Sequence, residues 1–315
     1  MLEKRPFGKT GLMVSPLTFG AWTIGGPAEM GGKQIGWAGV NDADSIDALK
    51  AAVDAGVNLF DTADAYGRGH SEHLMGKAFA GATRDKLLIS SKAGMIDDPA
   101  GFKLDFSRKH LNEACEGSLQ RLNTHHLDIY LLHLVVDDYP LTDDIRAALD
   151  DLKRAGKIRH YGVSVQFPHQ GMEQLDKKFG DSMMIEYSPL KRTGVDDVLT
   201  RAKAAGVGVI TRGALEKGLL SGKYKPGHRF PADDVRSRLA PDYIDRVLAG
   251  VQKLKSQKID LLAMALHFQL AHPGCSTVTV GMKTRRQVEE NVAAVTHQGN
   301  YDWPEVISVL EGTAT

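Results

Sequence analysis

Asp61 and Tyr66 stand where the apolar run Val57-Asn58-Leu59-Phe60 gives way to Asp61-Thr62-Ala63-Asp64-Ala65-Tyr66-Gly67. The run has the length and residue types of a buried parallel strand. A strand that delivers a carboxylate and a phenol where the chain turns supplies a site with groups for proton transfer. Lys92 ends a second such run, Lys86-Leu87-Leu88-Ile89-Ser90-Ser91, and His133 lies in a third, Ile129-Tyr130-Leu131-Leu132-His133-Leu134-Val135. Each has an ordinary reading. Asp61 caps a turn, Tyr66 packs in a loop, Lys92 is solvated, and His133 is a core histidine bonded to a backbone group. Taken together, the four groups at the ends of three successive strands converge on one mouth, and a strand-end lysine can also attack a carbonyl as a Schiff-base nucleophile.

Bulk composition narrows the setting. The 315 residues carry 42% hydrophobic and 25% charged side chains, which fits a globular protein with an ample core. Lys and Arg total 39, as do Asp and Glu, so no general attraction to nucleic acid or an anionic membrane is expected. Cys115 and Cys275 are the only cysteines, too few for a disulfide framework or a Cys-rich metal site, and no metal is expected. Residues 1–10 lack the apolar segment of a signal peptide, and the most apolar run, Ile129 to Val136, is far too short to span a bilayer. A soluble, cytoplasmic protein is the expectation.

The elements that must position the four groups can be read in order. Residues 6–15 form a small hairpin around Gly8-Lys9-Thr10-Gly11, and a strand runs from Ser15 to Trp22. Gly25 to Gly39 is a flexible loop. Helices are expected from Asn41 or Asp42 to the stop at Gly56, from Ser71-Glu72, from Ser107 through Leu122, and from Thr142 to Gly156. Between and after them lie strands at Lys86–Lys92, His126–Val135, Ile158–Val165, Met183–Tyr187, Gly206–Thr211 and Thr277–Val280, with helices at Met172–Phe179 and Val195–Ala205. After an irregular stretch from Arg212 to Ala240 come helices near Tyr243–Lys255 and Ile259–Ala271, and a last one through Val288 and Val295. About eight strands alternating with helices make βα units. An open doubly wound sheet would carry Gly-x-Gly-x-x-Gly after its first strand. The nearest match, Gly67-Arg68-Gly69-His70-Ser71-Glu72, is elsewhere and has Glu72 in place of the third glycine. The expected fold is therefore an α/β protein, one (β/α)8 TIM barrel over residues 1–315, with a short amino-terminal hairpin and an extended loop after the seventh strand.

Over nearly its whole length the chain resembles the aldo-keto reductases. The resemblance is carried by Gly56 through Gly67, Ser71-Glu72, Ser91-Lys92, Asp128-Ile129-Tyr130-Leu131-Leu132-His133 and Gly162-Val163-Ser164. It continues in Glu186-Tyr187-Ser188-Pro189-Leu190, Gly218 through Tyr224, and Gly281 through Glu290-Asn291. It implies a barrel that reduces aldehydes and ketones with NADPH and without metal, using a tetrad of Asp61, Tyr66, Lys92 and His133. In that scheme Tyr66 gives the proton as alkoxide charge develops. Lys92 lowers the phenol from its usual ~10, Asp61 holds Lys92 charged, and His133 donates to the substrate oxygen.

The resemblance also implies a cofactor site of Gly20, Trp22, Asp61, Ser164, Met184, Arg212, Gly213, Leu215, Gly218, Leu220, Gly222, Lys223, Gly281, Lys283, Thr284, Gln287, Glu290 and Asn291. The usual pattern is broken at three positions: Val165 stands where the family has Asn beside Ser164, Met184 where it has Gln, and Arg212 where an aromatic stacks on nicotinamide. Lys283 and Thr284 would meet a 2′-phosphate, favouring NADPH over NADH, although Gln287 replaces a frequent Arg. Trp22, Tyr66, His133, Phe102 and Trp303 would line the cup for a small carbonyl substrate. Asp137 and Asp138 would bond sugar hydroxyls or stay solvated. The alternatives are a Schiff-base lyase using Lys92, against which the adjacent Asp61 argues, and a non-catalytic nucleotide-sensing subunit of the same fold. The oligomeric state stays open.

Overall fold

The computed structural model describes residues 2–98, 101–135, 137, 140–231, 235–297 and 299–312. Eight strands close a barrel: β1 Leu17–Gly20, β2 Leu59–Asp61, β3 Leu88–Ala93, β4 Leu127–Val135, β5 Ile158–Val165, β6 Ser182–Glu186, β7 Gly208–Arg212 and β8 Thr277–Gly281. Each is parallel to the next in sequence, and β8 returns to β1 with Val278 opposite Leu17. Helices α1 Asp42–Asp54, α2 His70–Ala78, α3 Arg108–Leu122, α4 Asp143–Arg154, α5 Pro168–Asp176, α6 Val195–Ala205, α7 Pro241–Ser256, α8 Leu261–Ala271, α9 Arg285–Thr296 and α10 Trp303–Glu311 follow the strands. None is long and apolar enough to cross a membrane among the described residues.

The helices start where the sequence offers an oxygen to orphan amides. Asn41, Ser107, Thr142, Asp260, Thr284 and Asp302 each accept a backbone N–H of the first turn from the N-cap position. The helix expected at Met172–Phe179 begins earlier, at Pro168. Proline suits the first helical position, and the Gln170 side chain reaches back to accept from Gln166 N and Phe167 N at 2.9 and 3.0 Å.

The apolar faces of the helices pack on the outside of the barrel. Ile145, Leu149 and Leu152 of α4, for example, join Tyr161 and Val163 of β5 in one continuous core. Each such side chain contributes roughly 1.5–3 kcal/mol on burial. The amino-terminal hairpin, which pairs Arg5–Pro6 with Met13–Val14, closes the floor of the barrel. Its Phe7, Leu12 and Val14 plug the interior against Leu59, Ile129, Leu131, Met184 and Ile210.

The carboxyl-side loops differ from the expectation in two places. The stretch read as a flexible loop, Gly25 to Gly39, contains a short antiparallel pair, Glu29–Met30 with Lys33–Gln34. The loop after β3 folds into another, Met95–Asp98 with Gly101–Leu104. Arg68 ties the two together: it donates to Glu29 O and pairs with Asp97, whose Oδ1 accepts from Gly31 N at 2.9 Å. Neither pairing carries the apolar alternation that marks a strand in sequence.

Backbone also meets backbone at the mouth. Gly67 has φ +62, and a Cβ on it would lie 2.0 Å from Gly25 O. Gly67→Ala is expected to cost about 2–3 kcal/mol from left-handed strain and the clash together. A urea midpoint lowered at unchanged slope would register it; an unchanged midpoint would show that the two loops have room to part.

Candidate active site

β2 ends on Asp61, β3 carries Lys92 one residue before its end, and β4 carries His133. The register sets Asp61 opposite Ser90 and Leu131 opposite Lys92, so the three side chains rise from neighbouring strands toward one end of the barrel. Tyr66 arrives from the turn after β2. That turn is fastened by Tyr66 N to Ala63 O and Ser71 N to Tyr66 O, and by a hydroxyl chain in which Thr62 Oγ1 meets Ser71 Oγ and Ser71 Oγ donates to Ala21 O, both at 2.9 Å.

Lys92 is 0% exposed, yet its ammonium is saturated. Four oxygens stand within bonding distance of its three N–H donors: both Asp61 oxygens at 2.8 Å, Thr62 O at 2.7 Å, and Tyr66 Oη at 3.2 Å. Burial alone pulls the Lys92 pKa down, but Asp61 and then Tyr66 pull it up by more, so the group is held above its ordinary value and charged. The His133 ring meets that of Tyr66 edge-on at 5.6 Å. Burial, then Lys92 and Arg212, push its pKa well below the usual value, so the imidazole is neutral and has one N–H to give. Its Nδ1 has no partner among the described residues.

Tyr66 departs from the sequence expectation. Lys92 does favour the phenolate, but burial acts the other way and is larger, so the phenol sits above its ordinary value. It therefore keeps its proton across the neutral range. The aromatic wall beside it is Trp22, 6.2 Å from the Tyr66 ring and 42% exposed, with Trp37 edge-on to Trp22 at 5.4 Å.

The Aldo/keto reductase family model matches residues 16–307. The chain is 28% identical to aldo-keto reductase YhdN of Bacillus subtilis, with 99% of this chain and 95% of that one covered. It is 29% identical to the NADH-specific methylglyoxal reductase of Escherichia coli, covering 93% and 94%. Among solved structures it superposes on the holo form of aldo-keto reductase AKR11C1 from Bacillus halodurans with a TM-score of 0.80, at 28% identity over 100% of this chain and 97% of that one.

The chain belongs to the aldo/keto reductase family. Its activity class is thus oxidoreduction of carbonyl compounds. For an aldo/keto reductase, the residues read from sequence as cofactor contacts fall into three groups. Gly20 and Gly281 lie side by side on β1 and β8, and Trp22, expected as the last residue of β1, instead lies in a short 3-10 turn, Ala21–Ile24, because the strand ends at Gly20. Ser164 and Met184 are register partners on β5 and β6, both buried, and Met184 packs into the barrel interior. Arg212 ends β7, donates to Val165 O at 3.2 Å and lies 3.9 Å from Glu186.

The second group is the loop Gly213 to Lys223. Leu220 is buried against α7, Leu215 is half-buried, and Lys223 is exposed. Lys217 and Gly218 take left-handed backbone, φ 54 and 91, with Gly222 again left-handed at the loop's end. The third group is the turn into α9. Thr284 caps the helix, Gln287 Oε1 accepts from Lys283 N at 2.7 Å, and Asn291 donates to Gln287 O while its own Oδ1 stays buried without a partner among the described residues. Glu290 is exposed and lies 3.3 Å from Arg286. Lys283 is engaged already: Nζ donates to Ala38 O at 3.1 Å and stands 5.4 Å from the Trp37 ring.

The expected substrate cup is only partly assembled by what is described. Trp22, Tyr66 and His133 adjoin one another, but Trp303 stacks on Tyr301 and meets Phe268 of α8 in the helix layer. Phe102 lies on the hairpin after β3, and its side chain is outside the described residues, as is all of Asp138. Asp137 accepts from His169 and Gln170 at 2.6 and 2.8 Å. Sequence reading missed Trp37, although a tryptophan in a polar, Gly-rich stretch is itself a signal.

Replacing one member of a buried ion pair strands the other charge, at about 3–5 kcal/mol. Lys92→Met should lose that much stability, and Lys92→Met with Asp61→Asn should lose less than the sum of the single changes. Chemical denaturation of the four proteins reads the coupling; additive losses would show that the pair is not a unit.

Proposed function

We propose that the protein reduces an aldehyde or ketone to the alcohol, with Tyr66 as proton donor and NADPH as the source of hydride. The observation that carries this reading is the Lys92 ammonium bonded at once to both Asp61 oxygens and to Tyr66 Oη in a buried pocket. Tyr66 is protonated at neutral pH, so it has a proton to give, and the adjacent ammonium stabilises the phenolate left behind. Neutral His133 donates one N–H to the carbonyl oxygen and supports the charge that develops there. Asp61 keeps Lys92 protonated, which disfavours a Schiff base on that lysine, since the nucleophile is the neutral amine.

The residues present fit a dinucleotide. The left-handed loop after β7 offers backbone amides for a diphosphate, Asn291 Oδ1 is buried with no partner among the described residues and could accept from an adenine amino group, and the α9 amino terminus suits an anion. A bound nicotinamide would supply the carbon-directed hydride. Lys283 and Thr284 favour the 2′-phosphorylated form, because the Lys283 ammonium meets the neutral Ala38 O rather than a carboxylate, whereas Arg285 is paired with Asp47 and Arg286 with Glu290.

Cofactor oxidation against a panel of small aldehydes, ketones and sugars tests the reading. Tyr66→Phe should lower kcat by about 10²–10⁴ with little change in KM. Undiminished turnover in that variant would remove Tyr66 as the donor. A separate comparison addresses the cofactor: Lys283→Ala should raise the KM for NADPH roughly tenfold and leave that for NADH unchanged. Equal effects on both would place Lys283 outside the discrimination.

A further inference from the structure

Asp64 is a carboxyl that the proton chemistry above does not use. It stands on the turn between Asp61 and Tyr66, and its amide donates to Lys92 O at 3.2 Å, extending the β2–β3 ladder into the turn. Its side chain is part-buried, and Oδ1 is sealed from solvent with no hydrogen-bond partner among the described residues. Asp61 has the Lys92 ammonium for a counter-charge. Asp64 has another acid beside it.

That acid is Glu72 of α2, fully buried, whose Oε1 accepts from Ser91 Oγ at 2.6 Å and whose Oε2 accepts from Arg121 Nε at 2.7 Å. The charged and titratable groups around Asp64 are Glu72 from α2, Arg121 from α3, Lys92 from β3 and Tyr130 from β4, with Cys115 of α3 next to Tyr130. Arg121 is already bonded to Glu72, and its stem fills the space over Gly69, where a Cβ would lie 2.5 Å from Cδ. Lys92 is saturated by Asp61, Thr62 and Tyr66. Among the described residues Arg121 is bonded to Glu72 and not to Asp64, and the carboxyl left without a bonded cation is relieved by taking a proton. Burial first, and the Glu72 charge second, push the Asp64 carboxyl up to about 7.

We propose that Asp64 is a positioning residue: protonated, it seats the Tyr66 turn against β3, and ionised, its repulsion with Glu72 loosens that turn. The catalytic half rests on Tyr66 being the proton donor; the stability half does not. The folded protein keeps a proton that the unfolded chain releases near the ordinary value of 3.8. The stabilisation is thus complete below that pH and is lost as pH rises through about 7. Tyr66, held above the ordinary phenol value, cannot produce a transition there.

The test measures thermal midpoint and kcat from about pH 5 to about pH 9 in the wild type, Asp64→Asn and Glu72→Gln. In the wild type kcat should fall through about pH 7, the thermal midpoint should fall as pH rises toward about 7 and level off above it, and Asp64→Asn, which mimics the neutral acid, should lack both changes. Glu72→Gln removes the like charge and should move the fall to lower pH. An unaltered fall in Asp64→Asn, or an unmoved one in Glu72→Gln, overturns the proposal. Should Asp64→Asn fail to fold, the displacement in Glu72→Gln decides. An inactive wild type would refute the reductase reading, and the stability arm would still judge Asp64.

Discussion

A lysine ammonium sealed inside a barrel must have a counter-charge at bonding distance, and the mouth of this protein is arranged around that requirement. Taking Lys92 out of water costs several kcal/mol, offset only if every proton finds an acceptor. Asp61 supplies two, Thr62 O a third, and the Tyr66 oxygen lies within reach. The pair bridges the ends of β2 and β3. It fixes where β2 and β3 end relative to each other, and it leaves a phenol against a permanent positive charge. The same charge reaches His133 and, with burial, keeps that ring neutral.

The scaffold explains why so polar a site is tolerated. The floor of the barrel is plugged by Phe7, Leu12 and Val14 against an apolar interior layer, so charge is confined to the carboxyl end. There the backbone turns away from the sheet, and its loops lock to each other through Gly67 against Gly25 and through Arg68 across Glu29 and Asp97. Glu72 of α2 accepts from Ser91 of β3 and from Arg121 of α3, which makes a second polar cluster beside the one centred on Lys92 and Asp61.

Much of this was legible in the residue string. Strand runs such as Leu127–Val135 are long, apolar and bounded by caps, so the eight-fold alternation and the sequential barrel could be read. Asp61, Tyr66, Lys92 and His133 were found because strand ends in such a barrel share a face, and the structure brings all four together. What could not be read depends on contacts distant in sequence. The short hairpins at Glu29–Gln34 and Met95–Leu104 are stabilised by Arg68, not by their own pattern. Trp303 looked like a tail residue free to reach the mouth, yet α10 docks on α7 and α8 and keeps its ring beside Phe268. The net direction of the Tyr66 shift was misjudged because one neighbour's charge was weighed without the burial that opposes it.

The claim on which the account turns is that Lys92 acts on Tyr66 electrostatically, within a burial that keeps the phenol protonated. It is tested most directly by following phenolate absorbance as the difference between each protein and its Tyr66→Phe counterpart, in the wild-type and Lys92→Met backgrounds. The account predicts ionisation above ~10 in the wild type and at still higher pH without the ammonium. A Tyr66 that ionises at or below the ordinary value, or that is unmoved by removing Lys92, would contradict it.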